Sequence, residues 1–391
     1  MAPLLLVFAA ALASLASPTF AQQKAKLPRT RRLDSGIRWK RDAATGELRA
    51  GPVNGAKSGD AGEPANAQQA IRVATQIVPV TCSVFAADGT AVIGLDRTDF
   101  RIFDDGIEQS ISYFDFSTVP ANVALLIDAS PSVLRDSEAM KQAARALVDG
   151  LSPADEIAVV DFSAHTYLQI PFSSDGEPVR KAIARVDVHQ LLGDTGGTNV
   201  YEAVYLTARK VFLGGRQGRK SIVLLTDGQD SGLGLTLDPA SAAPQPGRSN
   251  DRLTFEDVVR ALAAADIQVF AISTENRPRQ MTPAWLSAHQ DATLINSSAR
   301  DAGIPPYTLY LAELVRRAGG QLYFLRESGS LSDVFRRIAQ RIGAQYTLGY
   351  YPRSADSAAV RAGWHQLHVA VPSHASATII HRAAYYVPAT E

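Results

Sequence analysis

The sequence predicts an α/β protein: a doubly wound, mostly parallel sheet, flanked by an antiparallel β module assembled from the segments on either side of it. Three observations predict it. Between residues 120 and 342, strand-like and helix-like segments alternate at the spacing of repeated β–α units. The strand segments there are continuous apolar runs, as a strand covered on both faces requires; Val123-Ala124-Leu125-Leu126-Ile127 is the first. The flanks, 76–117 and 344–388, carry strand patterns and Asp-Gly turn signals but no helical periodicity.

Taken in order, residues 1–21 read as a secretory signal. An apolar run from Pro3 to Ala16 leads to Thr19-Phe20-Ala21, a small-x-small cleavage pattern, and then to polar Gln22-Gln23. An uncleaved anchor is the alternative, but the run is short for a membrane span. Export to the periplasm or the medium is the expectation. Residues 22–75 read as a basic flexible linker, rich in Lys, Arg, Gly, Ala and Pro. Arg29-Thr30-Arg31-Arg32 and Lys40-Arg41 make it a solvated basic tether, with peripheral contact to an anionic envelope surface as the second reading.

Within 76–117, Val78 to Phe85 alternates, Asp88-Gly89 signals a turn before Ala91-Val92-Ile93, and Asp105-Gly106 joins Phe100–Phe103 to Ser110–Phe114. About four strands are expected, with Cys82 facing the module's core. The central region then gives strand 123–127, helix 136–150, strands 157–160 and 167–170, a helix near 177–187, helix 199–212 and strand 221–225. A Pro/Gly/Ser-rich loop over 231–250, helix 255–264, strand 267–272, an irregular insert over 275–305, helix 310–317, strand 321–324 and helix 331–342 complete it. Strands over 345–352, 365–371 and 378–380 follow, and these are expected to pack with 76–117 as one unit.

The chain has 391 residues, 39 basic against 39 acidic, and a single cysteine. Balanced charge gives no electrostatic footprint for nucleic acid. One cysteine excludes an internal disulfide and a cysteine-built metal site.

Chemistry concentrates in three short motifs. Asp128-Ala129-Ser130-Pro131-Ser132 follows the first buried strand, Gly196-Gly197-Thr198-Asn199 opens the long helix, and Thr226-Asp227-Gly228 follows the next buried strand. In a doubly wound sheet, ligands bind beyond the carboxyl ends of the strands where the strand order reverses. If the strands ending at Asp128 and Asp227 are neighbours there, two carboxylates and two hydroxyls converge and Thr198 completes the ring. Such a donor set is all hard oxygen, which selects a divalent cation such as Mg²⁺, Mn²⁺ or Ca²⁺ over zinc or copper. An octahedral ion so held keeps a position for an incoming Asp or Glu carboxylate. Each motif alone is weak, because Asp-x-Ser-x-Ser and Thr198 also suit helix caps, and Thr-Asp-Gly suits a turn. Asp161 and Asp230 lie near the proposed rim and could orient water or be solvated turn carboxylates.

In these motifs the chain resembles the von Willebrand factor A (VWA) family. The resemblance covers about residues 120–342. It implies a Rossmann-like fold and a metal-ion-dependent adhesion site in which Asp128, Ser130, Ser132, Thr198 and Asp227 hold the ion, Mg²⁺ in the first place, and a protein ligand supplies a carboxylate. The flanks also resemble the VWA-related proteins of Acidobacteria, from Asp99-Phe100 to Phe114 and from Tyr346 through Tyr386.

Other readings fail on sequence. In Gly214-Gly215-Arg216-Gln217-Gly218-Arg219-Lys220-Ser221, Arg219 stands where a phosphate loop needs glycine, and the segment precedes a strand. Gly232-Leu233-Gly234 lacks the third glycine of a dinucleotide loop, with Leu237 in its place. No Gly-x-Ser-x-Gly elbow exists. His365 and His368 fall on opposite faces of a strand, so the histidines read as solvated. A binding protein is the expectation; a metal-assisted hydrolase, or an ion that only braces loops, are the alternatives.

Overall fold

The N-terminal arm supplies β1 (Arg31–Arg32), β2 (Ile37–Arg41) and β3 (Leu48–Pro52). The first flank supplies β4 (Val78–Phe85), β5 (Arg101–Asp104), β6 (Ile107–Gln109) and β7 (Ile111–Phe116). The central region runs β8 (Ala121–Asp128), α1 (Ser137–Gly150), β9 (Glu156–Phe162), β10 (Thr166–Ser173), α2 (Gly176–Ala184) and α3 (Val200–Leu206). It continues through β11 (Arg219–Thr226), α4 (Phe255–Ala264), β12 (Ile267–Ser273), α5 (Pro306–Ala318), β13 (Leu322–Phe324) and α6 (Leu331–Gly343). The second flank supplies β14 (Tyr346–Tyr350), β15 (Gly363–Ala370), β16 (Thr378–His381) and β17 (Ala384–Val387). This computed structural model describes residues 30–35, 37–41, 48–52, 77–87, 89–116, 120–186, 197–215, 218–232, 252–282, 285, 303–325, 331–353 and 361–387. The signal segment 1–21, most of the linker, Gly196, Leu237 and most of the loop and insert expected over 231–250 and 275–305 lie outside the described residues.

Seven strands form the central sheet in the order β1-β10-β9-β8-β11-β12-β13. From β9 through β13 every pairing is parallel, while β10 and β1 extend one edge antiparallel. The two-residue period of a strand covered on both faces explains why β8 is apolar from Val123 to Ile127. Ala124 and Leu126 pack with α3, α4 and α5 on one face; Val123, Leu125 and Ile127 pack with α1, α2 and α6 on the other. Each valine, leucine or isoleucine side chain so removed from water contributes roughly 1.5–3 kcal/mol. α4 begins with a capping box between Thr254 and Asp257, and α5 begins with Pro306 at its first turn. The architecture is thus a mixed α/β fold with a mostly parallel central sheet and additional antiparallel sheets.

Those extra sheets draw on both flanks. One has the order β16-β4-β14-β7, the other β17-β15-β5-β6, and they enclose a common core of Val80, Cys82, Ile102, Leu348, Tyr350 and Val369. Cys82 is fully buried, and burial pushes its thiol up to about 12. The first flank differs in detail from expectation. Ala91 makes only an isolated bridge to Phe85, so 91–93 adds no strand. Asp105 and Gly106 form the expected two-residue turn, with φ of 47° and 81°, but it closes β5 onto β6 rather than onto 110–114. β7 crosses instead to the other sheet beside β14.

A larger correction concerns the arm. Expected as a solvated tether, it is docked where it is described. β1 pairs with β10, and Leu33 donates its N–H to Thr166 O at 2.8 Å. Trp39 meets Tyr205 edge-on at 5.3 Å, and Arg41 grips the Asp257 carboxylate through two hydrogen bonds of 2.8 and 2.7 Å. Backbone pairing on an open sheet edge and three apolar anchors, Leu33, Trp39 and Leu48, outweigh the arm's basic composition. Among the described residues no helix is long and apolar enough to cross a membrane.

Candidate metal centre

In a sheet of this order the direction of winding reverses between β8 and β11, the strands that end at Asp128 and just before Asp227. They are paired in parallel, Leu225 opposite Ile127, so the condition set by the sequence argument is met for these two carboxylates.

Each motif folds locally in a way its residues dictate. Asp128 accepts the Ser130 N–H at 2.9 Å through Oδ1, the turn a short carboxylate makes with a backbone two residues on. Pro131 starts a 3-10 turn, with Ser130 at its cap in extended conformation and no capping bond from its side chain. The Ser130 and Ser132 hydroxyls lie 3.0 Å apart instead. After β11, Asp227 Oδ1 accepts the Gln229 N–H at 2.9 Å, and Gly228 takes a φ of 87°, the left-handed region in which glycine is at ease.

Thr198 precedes Asn199, the cap of α3, so the helix-cap reading of Thr198 does not apply. It is 7% exposed. Its loop is tied to both sides of the cleft. Asn199 donates its N–H to Ser163 O at 2.8 Å, just beyond β9, while Ala129 donates to Phe162 O at 2.7 Å. On the other side, Thr198 O accepts the Ser231 N–H at 2.7 Å, and Thr198 N–H donates to Ser231 Oγ at 3.3 Å. Backbone and side-chain bonds therefore link all three motif loops.

The sequence missed Thr226. Fully buried, it donates its hydroxyl to Asp128 Oδ2 at 2.6 Å and accepts the Gly228 N–H at 3.0 Å. It orients one carboxylate and braces the turn that carries the other. Its place directly before Asp227 was visible in the sequence; its partner, on another strand, was not. Ser231 was missed for the same reason.

The two flanking carboxylates differ from expectation. Asp161 is not a solvated turn residue: it lies within β9, fully buried, and accepts a hydrogen bond from Gln169 Nε2 at 2.7 Å. Asp230 accepts the Tyr201 N–H at 3.2 Å and so caps the first turn of α3 from across the cleft. Beside it a cavity of about 340 Å³ is lined by Trp39, Glu202, Asp230, Ser231 and Arg252, which brings the N-terminal arm to the rim. The expectation of solvated histidines fails at His365, which is 6% exposed within the sandwich.

Electrostatics give the centre its character. Asp128 and Asp227 are each 3% exposed. Burial pushes the Asp128 carboxyl up to about 7, and the neighbouring charge of Asp227 pushes the same way against the hydrogen bonds from Ser130 and Thr226. Asp227 Oδ2 is buried and has no hydrogen-bond partner among the described residues. An orphaned carboxylate oxygen beside a second buried carboxylate fits a hard cation, which would supply the missing charge and ligation together.

Residues 123–229 match the von Willebrand factor type A domain family, a span that includes all five motif residues. No curated protein matches the chain. Among solved structures, an aerotolerance-related membrane protein of Bacteroides fragilis is 17% identical over 57% of this chain and 98% of its own, with a TM-score of 0.39. A von Willebrand factor type A protein from Catenulispora acidiphila is 13% identical over 73% of this chain and 72% of its own, with a TM-score of 0.39. Proximal thread matrix protein 1 from the mussel byssus, in a form whose MIDAS motif is occupied by zinc, is 15% identical over 62% of this chain and 50% of its own, with a TM-score of 0.38. Likenesses at this level carry no inference about what the chain binds.

Proposed function

We propose that this chain is an exported VWA-domain protein, of the kind its flanks resemble in Acidobacteria, that binds a protein partner through a divalent cation. Asp128, Ser130, Ser132, Thr198 and Asp227 would hold the ion, Mg²⁺ in the first place with Mn²⁺ or Ca²⁺ as alternatives. An Asp or Glu of the partner would complete the coordination. The observation that carries the reading is the orphaned, buried Oδ2 of Asp227, whose charge disfavours ionisation of Asp128 at the point where the sheet changes direction.

The division of labour follows from the hydrogen bonds. Thr226 fixes Asp128 Oδ2, the Ser130 N–H fixes Oδ1, and the Gln229 N–H fixes Asp227 Oδ1. The carboxylates are therefore oriented before any ion arrives, which lowers the ordering cost of binding. Ser130, Ser132 and Thr198 add oxygen without charge, so a dication keeps electrostatic appetite for an anionic ligand. The reading assigns no catalytic step to this site.

The test is capture from envelope extract by the full chain in Mg²⁺, in EDTA, and with an Asp128→Ala, Ser130→Ala variant. A partner retained in Mg²⁺ and lost in the other two arms is expected. The same partner retained in all three would overturn the reading. Turnover of phosphoesters or peptides that disappears with Asp128→Ala would replace binding by hydrolysis. Export is checked separately: mature protein should begin at Gln22, and an intact N-terminus on protein confined to the cytoplasm would count against it.

A further inference from the structure

A second cluster of metal-ligating groups lies in the sandwich, away from the cleft. Asp104 ends β5, Asp105 opens the β5–β6 turn, and His365 lies on β15, the strand paired with β5. The turn is locked to β15 by Asp105 N–H to Gln366 O at 2.9 Å and by Gln366 N–H to Asp105 Oδ1 at 2.8 Å.

Each of the three side chains is held by one atom and presents another. Asp104 Oδ2 accepts the hydroxyls of Tyr350 at 2.9 Å and Tyr385 at 2.8 Å. Its Oδ1 is buried, has no hydrogen-bond partner among the described residues, and faces His365 Nδ1 at 3.6 Å. His365 Nε2 lies 2.6 Å from Arg361 O. A carbonyl only accepts, so Nε2 carries a hydrogen and Nδ1 is the atom with a lone pair to offer. The ring is stacked on Tyr385 at 5.0 Å, and Nδ1 is 3.0 Å from Asp105 Oδ2.

We propose that Asp104 Oδ1, Asp105 Oδ2 and His365 Nδ1 form a divalent transition-metal site of the zinc type in the sandwich. The three donor atoms lie within 4.8 Å of one another. Ligands at about 2.0–2.2 Å from one ion stand roughly 3.0–3.5 Å apart, close to the spacings of 3.0 and 3.6 Å. Two carboxylates neutralise a dication. One imidazole nitrogen turns the preference from Mg²⁺ and Ca²⁺ towards zinc-like ions. A proton on Nδ1 is the competing occupant. It would serve Asp105 at 3.0 Å but leave Asp104 Oδ1, at 3.6 Å, beyond hydrogen-bond reach, whereas an ion ligates both. The Tyr350, Tyr385 and Arg361 bonds are the outer contacts that orient such ligands. Asp105 is exposed, so water can complete the coordination from the surface. The Arg361 guanidinium, 3.7 Å from Asp105 Oδ2, is largely exposed and has room to move aside.

This inference is independent of the proposed function, and its test keeps the two apart. The full chain is titrated with Zn²⁺ in excess Mg²⁺ against a chromophoric chelator, with Asp128→Ala, Asp105→Asn and His365→Ala alongside. One zinc should bind to the wild type and equally to Asp128→Ala. His365→Ala should lose it, and Asp105→Asn should weaken it roughly tenfold or more. Asn is at ease at the φ of 47° that Asp105 adopts, so this variant keeps the turn and decides the matter should His365→Ala misfold. Co²⁺ in place of zinc should give visible absorption that His365→Ala abolishes. Zinc retained undiminished by Asp105→Asn, zinc lost only with Asp128→Ala, or no zinc on the folded wild type would each overturn the site.

Discussion

Two carboxylate sites of this molecule, the cleft pair of Asp128 and Asp227 and the sandwich's Asp104, are buried to a similar degree but satisfied in different ways. In the cleft, Asp128 and Asp227 accept backbone N–H groups and one threonine hydroxyl, and they lie close enough for the charge of one to disfavour ionisation of the other. In the sandwich, Asp104 receives two tyrosine hydroxyls and faces a histidine. The cleft pair stores repulsion that a ligand can relieve. Asp104 is an acceptor around which a core has been built. Burial alone therefore does not say whether a carboxylate serves folding or binding; its partners do.

The largest effect should come from breaking the structural member of the comparison. Asp104→Ala leaves the Tyr350 and Tyr385 hydroxyls buried without their acceptor, at roughly 1–3 kcal/mol each. Urea denaturation in EDTA should show a loss of about 4 kcal/mol. A loss under 1 kcal/mol would mean that these hydroxyls reach water or another acceptor.

Next in size is the gain from filling the cleft. Mg²⁺ at about a hundredfold over its dissociation constant should stabilise the wild type by about 2.7 kcal/mol and Asp128→Ala not at all. Thermal unfolding with and without Mg²⁺ reads this directly. Equal stabilisation of both would place the ion elsewhere.

What could be read from sequence follows the same division. Asp128, Ser130 and Ser132 fall within five consecutive residues, and the turn that aims them is made by a side chain and a backbone group two residues apart. A turn of that kind is legible because its geometry is local. So were the parallel strands, since burial on two faces leaves an apolar run with no polar alternation. The sandwich cluster was not legible. Asp104 ends a strand and Asp105 opens the hairpin turn after it, where acidic residues are ordinary, and His365 reaches them only through the pairing of β15 with β5. Strand alternation rightly set His365 and His368 on opposite faces, yet it could not say that the inward face held two carboxylates. The docked arm was hidden differently. Its anchors are single residues in a basic segment, and sheet-edge pairing uses backbone groups that composition does not record.

The sandwich should also respond to acid through His381. Its Nδ1 faces Arg382 O at 2.7 Å and so carries the hydrogen, while Nε2 accepts the Val369 N–H at 3.3 Å. Protonating Nε2 would break that bond in a buried place. Burial first, then the neighbouring charges of His368 and Arg382, hold the imidazole down at about 4 against an ordinary 6.5. With the folded value depressed, the unfolded chain binds the extra proton below pH 6.5 and the folded chain does not until about pH 4. Stability is therefore complete above 6.5 and falls as the pH drops through that window. Between pH 7 and 5 the loss should be about 2 kcal/mol, and His381→Gln should flatten it. An unchanged slope in that variant would move the effect to another group.

The smallest effect has the sign that separates the two sites most cleanly. Asp227→Asn keeps an oxygen to accept the Gln229 N–H and removes the charge that opposes Asp128. In EDTA nothing is lost that the fold uses, because Asp227 Oδ2 has no partner among the described residues. The variant should be more stable than wild type by about 1 kcal/mol, the scale of relieving one like-charge contact between buried carboxylates. In Mg²⁺ the order should reverse, since the ion then needs the charge that Asn lacks. Asp104→Ala destabilises whether or not metal is present, so only the cleft should show a crossing of the two unfolding curves. If Asp227→Asn is less stable than wild type in EDTA as well, Asp227 is a structural acceptor like Asp104, and the cleft holds no charge waiting for a cation.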